Sequence, residues 1–192
     1  MIVGGVYHTF FGLSPYHDIG FTLLTAETLS NSAVRNELPF SLIETVLPVL
    51  DEVAKDQTET NFAGRYSDKA TNSSLTLTTG GSQTGLKITG WISNGVDLYA
   101  FLAPQVPNLV WRLLPNQLDY SDKQVGFTSY YASAAPPNAT ANTLEECAGW
   151  FDVDELTYGN IPLGQIVFDV DGSGKATTAH ARALRAIYKR ES

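Results

Sequence analysis

Acyl-transfer chemistry needs a hydroxyl or thiol with a base beside it, and few side chains of this sequence stand in such an order. Neither a Gly-x-Ser-x-Gly elbow nor a Ser-x-x-Lys pair occurs. Tyr158-Gly159-Asn160 spells a Tyr-x-Asn tripeptide that has no role without such a serine and lysine, so it reads as a turn before a strand. Cys147 is the sole cysteine, which excludes an internal disulfide and a thiolate zinc cluster. With no histidine in a partner motif, its thiol reads as buried or idle. His8, His17 and His180 share no metal-ligand spacing and read as structural or surface imidazoles. Asp169-Val-Asp171-Gly-Ser173-Gly opens like a calcium loop, in which oxygens at alternate positions surround a hard cation. Its twelfth position is His180 rather than a bidentate Glu, so a tight β-turn is the better reading. No metal and no cofactor is expected.

The remaining candidates are aromatic. Trp91, Trp111 and Trp150, with Tyr99, Tyr130 and Tyr131, are placed to line a cavity for a small apolar ligand. Aromatic residues at strand positions serve equally well as core, and both readings stand at this point. Asn72-Ser-Ser and Asn138-Ala-Thr are sequons, making Asn72 and Asn138 glycosylation candidates.

The elements that position these residues follow from periodicity. Leu75 and Leu77 alternate with Thr76 and Thr78, and Leu86 and Ile88 with Lys87 and Thr89. A period of two sends successive side chains to opposite faces of a half-buried strand. Gly80-Gly81-Ser82 lets the chain reverse between the two runs, and Asn94-Gly95 marks a further turn. Val96 to Leu102 reads as a short helix ended by Pro104 and Pro107. Strands follow at Leu109–Leu114, Gln124–Ala132, Ala148–Val153, Gly164–Val170 and Lys175–His180, while Ala183–Tyr188 fits strand or short helix. Upstream, Val3–Leu13 and Ile19–Leu24 form an apolar hairpin joined by a turn containing Pro15 and Asp18. Strands apolar on both faces belong inside a larger sheet, so the N-terminus is expected to be a cut edge of something bigger. Between hairpin and meander, Phe40, Ile43, Val46, Leu47, Leu50, Val53 and Ala54 recur at helical spacing from about Pro39 to Thr60. Pro39 suits the first turn and Pro48 is expected to kink the helix. The fold class is therefore mainly β: an antiparallel barrel preceded by a β-hairpin and one amphipathic helix. The divisions are 1–37 for hairpin and polar linker, 38–60 for the helix and 61–192 for the barrel.

Composition narrows the partners. The 192 residues carry a net charge of −8 and nine Phe, nine Tyr and three Trp, enough for a real core but with no basic face for nucleic acid. Acids gather at Glu145, Glu146, Asp152, Asp154 and Glu155, and bases at Lys175, Arg182, Arg185, Lys189 and Arg190. This reads as a solvated loop facing a solvated strand, with an acidic metal cage as the alternative. No run of 18 apolar residues spans a membrane, and Met1-Ile-Val-Gly-Gly has neither the charged start nor the cleavage site of a signal peptide.

Taken together, these segments resemble a known family. Gly4-Gly-Val-Tyr-His-Thr-Phe-Phe-Gly12 through Leu24 looks like the closing strands of a β-lactamase-related, penicillin-binding-protein-like domain. The helix, Asn61-Phe-Ala-Gly-Arg-Tyr, Asn72-Ser-Ser-Leu-Thr-Leu, Trp91-Ile-Ser-Asn-Gly-Val-Asp and Val167-Phe-Asp-Val-Asp look like the C-terminal domain of its fungal members. The resemblance implies a lipocalin-like barrel, a strand at Ala183–Tyr188 and an extracellular enzyme as parent. It also implies that the catalytic serine, lysine and tyrosine belong to an upstream catalytic domain, which is then the expected partner. The chain is accordingly expected to be a non-catalytic accessory domain, with a small-molecule-binding module as the alternative and an independent enzyme as a third reading.

Overall fold

The structure, a computed structural model, describes residues 7–14, 19–26, 32–80, 85–106, 108–116, 121–133 and 157–191. By contacts the chain divides into two compact units, Met1–Ala54 and Lys55–Ser192. Among the described residues no helix is long and apolar enough to cross a membrane.

In the first unit, β1 (Tyr7–Ser14) and β2 (Ile19–Ala26) pair antiparallel from Tyr7↔Ala26 to Ser14↔Ile19. Burial alternates strictly along both strands. Phe10, Gly12, Phe21 and Leu23 share the half-buried face, while Phe11, Leu13 and Leu24 share the exposed one. Gly12 has a steric reason: a Cβ there would lie 2.4 Å from the Phe21 ring, which stacks on Phe10 at 5.9 Å. Helix α1 runs from Ser32 to Phe62. It starts inside the stretch expected to be linker, because Ser32–Glu37 contains no residue that bars helix. Pro39 is consequently interior rather than in the first turn, and the helix also continues through Pro48. Leu42, Ile43, Val46, Leu47 and Leu50 form a half-buried stripe, whereas Phe40, Val53 and Ala54 are exposed, contrary to the periodicity.

In the second unit the strands are β3 (Gly64–Asp68), β4 (Ser73–Thr78), β5 (Leu86–Ser93) and β6 (Val96–Asp97), then helix α2 (Leu98–Leu102). They continue with β7 (Leu109–Pro115), β8 (Gln124–Ser133), β9 (Thr157–Tyr158), β10 (Ile161–Pro162), β11 (Gln165–Val170), β12 (Ala176–Ala181) and β13 (Ala186–Arg190). The order β4-β3-β13-β12-β11-β8-β7-β5 closes through β4–β5 pairing into an eight-stranded antiparallel barrel. Ala183–Tyr188 thus enters a strand only at Ala186. Among the described residues each of the eight strands has a paired neighbour on both sides, the arrangement that removes the free edges of an open sheet.

Inward positions alternate with outward ones, and large and small residues complement each other. Tyr66, Phe168 and Tyr188 are fully buried, and β12 contributes only Ala176, Ala179 and Ala181 opposite them. Phe168↔Ala179 and Ala179↔Tyr188 are direct cross-strand pairs. The end of α1 packs on the barrel rim formed by the start of β8 and the end of β11, with Phe62 lying 5.2 Å from Phe127 and 5.3 Å from Phe168.

Candidate functional site

Three clusters of the barrel carry chemistry or unusual electrostatics. The first is aromatic. Trp111 faces inward from β7, and its ring lies 5.1 Å from Trp91, 6.3 Å from Tyr99 and 6.4 Å from Tyr131. Trp91 reaches the interior through a β-bulge. Leu77 pairs with Ile88 but Thr76 pairs with Gly90, so Thr89 is an extra residue that flips the alternation. Leu86 and Ile88 before the bulge and Trp91 and Ser93 after it are all buried. Trp91 Nε1 donates to the Tyr188 hydroxyl at 3.3 Å; burial raises the pKa of that phenol. Trp111 is only 4% exposed, yet among the described residues its Nε1 has no hydrogen-bond partner.

Helix α2 covers this cluster, with Leu98, Tyr99 and Leu102 packed on the core. Asp97 is its N-cap, accepting from Ala100 N at 2.9 Å. The Tyr99 hydroxyl donates to Leu109 O at 3.3 Å. Tyr130 stands opposite Arg112, one step out of phase with the Trp111↔Tyr131 pair, so it faces away from the cluster and Tyr131 takes the inward position. Trp150 lies outside the described residues, as do Asn138, Cys147, His17 and the acidic run from Glu145 to Glu155.

The second cluster is polar and outward-facing. Asp169 Oδ2 lies 2.6 Å from His180 Nε2 and accepts from Thr178 Oγ1 at 2.5 Å, while Oδ1 accepts from Gln124 Nε2 at 2.8 Å. Burial pushes the Asp169 carboxyl up, but bonds from Thr178, Gln124 and His180, with the His180 charge, outweigh it and hold the pKa at about 2. His180 is therefore not the isolated imidazole its sequence surroundings indicate. The β11–β12 register pairs Asp169 with Thr178, and His180 follows on the same face two residues later. The calcium-like stretch itself is a turn, in which Asp171 Oδ1 accepts from Ser173 N and Oγ and Lys175 N. Tyr158-Gly159-Asn160 is likewise a turn, with Gly159 and Asn160 at positive φ between β9 and β10. His8 lies in the hairpin opposite Thr25.

The third cluster fixes the end of α1. Arg190 Nη1 donates to Asn61 O at 2.8 Å and Ala176 O at 3.2 Å, and its Nη2 donates to Thr60 O at 3.4 Å and to Ala63 O. The Tyr66 hydroxyl donates to Phe62 O at 2.8 Å. The last carbonyls of a helix have no intrahelical donors and form the negative end of its dipole, so a buried phenol and a guanidinium are well matched to them. Burial, opposed by the Arg190 charge, raises the Tyr66 pKa to about 12, so this donor keeps its proton. Glu59 accepts from Thr79 N at 3.0 Å and from Thr79 Oγ1, tying the helix to the end of β4.

Asn72, the described sequon, is exposed at a turn with φ 48° and accepts from Gly95 N at 3.0 Å through its carbonyl.

The family model described as "Beta-lactamase-like-like, C-terminal domain" matches residues 54–192, and the chain belongs to that family. No curated protein and no solved structure matches it. The matched region spans the last two turns of α1 and the whole barrel, and leaves the β1–β2 hairpin outside.

Proposed function

We propose that the chain is a non-catalytic accessory domain of a β-lactamase-like serine hydrolase, and that β1 and β2 complete the sheet of its catalytic domain. One observation carries the reading: the hairpin is apolar on both faces yet leaves Tyr7 79%, Phe11 63%, Leu13 67% and Leu24 75% exposed. Among the described residues its strands pair only with each other. A two-stranded sheet of this character is marginal alone and gains both hydrogen bonds and apolar cover by joining a larger one. Membership in a β-lactamase-like C-terminal-domain family supports a β-lactamase-like domain as that partner, with β1–β2 as its hairpin, α1 as the connecting helix and the barrel as the accessory body. The same reading makes the parent a secreted fungal glycoprotein with Asn72 as a glycan acceptor. Assaying the full chain with nitrocefin and p-nitrophenyl acetate tests it. The expected result is hydrolysis no faster than buffer, and steady turnover by the pure chain overturns it.

A second reading is a lipocalin-like module for a small molecule. It is favoured by one feature, the buried Trp111 indole that donates to nothing within its aromatic cluster.

A further inference from the structure

The barrel wall is thinly paired beside that indole. Strands β5 and β7 pair only at Leu86↔Leu113 and Lys87↔Arg112. Continuing the register would set Ile88 opposite Trp111, but the ladder stops first, and β5 instead takes β6 at Ile92↔Asp97 and Ser93↔Val96. Over the interrupted seam lies α2, a five-residue helix held by its Asp97 cap and by the long Tyr99–Leu109 bond. Phe101 of this helix is 64% exposed, and Val96 in the strand before it is 55% exposed. Beyond the packing of Leu98, Tyr99 and Leu102, the Tyr99–Leu109 bond joins this five-residue helix to the barrel, and an element so short opens at lower cost than the strands beneath it.

We propose that α2 is the movable cover of a binding site for a flat, uncharged, apolar molecule carrying one oxygen acceptor, and that Trp111 Nε1 donates to that oxygen. The inference rests on the small-molecule reading of the barrel and names its ligand class. An indole N–H normally finds a partner when buried, and leaving it unpaired is costly. An acceptor brought into the cluster recovers that cost, whereas a hydrocarbon does not. Trp91, Tyr99 and Tyr131 surround the Trp111 ring and offer faces and edges for stacking. Leu98, Leu102 and Leu109 complete the partly buried apolar surroundings. None of these seven residues is a cation, so a carboxylate would be desolvated with nothing to balance its charge. A ketone, ester or lactone on an aromatic frame fits; a fatty acid does not.

Three probes sharing one ring system test this on the full chain by equilibrium dialysis. 2-Acetylnaphthalene is expected to bind about tenfold tighter than 2-isopropylnaphthalene, against the order of their hydrophobicity, and tighter than 2-naphthoate. Trp111→Phe is expected to erase the preference for the ketone while still binding the hydrocarbon. Equal or reversed affinities in the natural chain overturn the assignment of the donor yet leave a small-molecule barrel standing. Failure of all three probes overturns both. Tyr99→Phe, which loses the bond to Leu109, is expected to speed association and dissociation of the ketone several-fold. Unchanged rates refute α2 as the cover.

Discussion

Replacing Arg190 with Met keeps most of the side-chain volume and removes every donor of the guanidinium. Four carbonyl contacts go with it: Asn61 O, Ala176 O, Thr60 O and Ala63 O. A hydrogen bond from a charged group contributes about 1.5–3 kcal/mol. The four share one charge, and the Thr60 contact is long at 3.4 Å, so their joint loss is set at about 3 kcal/mol rather than the sum. The Tyr66 bond to Phe62 remains and caps the effect. In urea, with a slope of about 2 kcal/mol/M, the midpoint of the barrel transition falls by about 1.5 M. Arg65→Ala is the control. Its pairing with Glu191 at 3.2 Å leaves both side chains about half exposed, and exposed pairs contribute about 0–1 kcal/mol. If Arg190→Met shifts the midpoint no more than Arg65→Ala, the carbonyl clamp does not hold the helix to the barrel and the reasoning fails.

Gly85→Ala is expected to destabilise by about 2 kcal/mol, because φ is +81° and the new Cβ would meet Leu113 O at 2.5 Å; thermal unfolding checks it. The Asp169 pKa of about 2 lies below its ordinary 3.8, so its share of stability is full above about pH 4 and is lost as pH falls through 2. With the carboxylate side chain 36% exposed, that share is about 1 kcal/mol after discounting for screening. Asp169→Asn is expected to flatten the stability profile between pH 4 and 2 by this amount, and an unchanged profile refutes it. Deleting residues 1–25 is expected to leave the barrel folded and reduce self-association in sedimentation, since the uncovered hairpin invites strand pairing; a barrel that unfolds on deletion refutes the two-part account.

Much of the architecture is legible before any coordinates. The alternation at Leu75–Thr78 and Leu86–Thr89 and the Asn94-Gly95 turn stand where period and turn residues put them, while the short helix expected from Val96 begins at Leu98 because Val96 and Asp97 pair with β5 as strand β6. What stays hidden depends on register. Simple alternation from Ile88 would aim Gly90 inward and Trp91 outward, and only the bulge at Thr89 reverses this. Tyr130 and Tyr131 are adjacent aromatics, and nothing local says which faces the core until β8 is paired with β7. His180 and Asp169 sit eleven residues apart with a turn between them, and the pair exists only because β12 folds back on β11. The helix start at Ser32 eluded the periodicity because the residues before Leu38 are mostly polar, and Pro39 imitated a first-turn proline.

The most direct test of the central claim is co-expression with a β-lactamase-like serine hydrolase domain from which its own two closing strands have been removed. Sedimentation of the purified mixture reads the outcome. The account predicts a one-to-one complex that is lost when residues 1–25 are deleted. A chain that fails to associate, or that associates equally well without its hairpin, contradicts it.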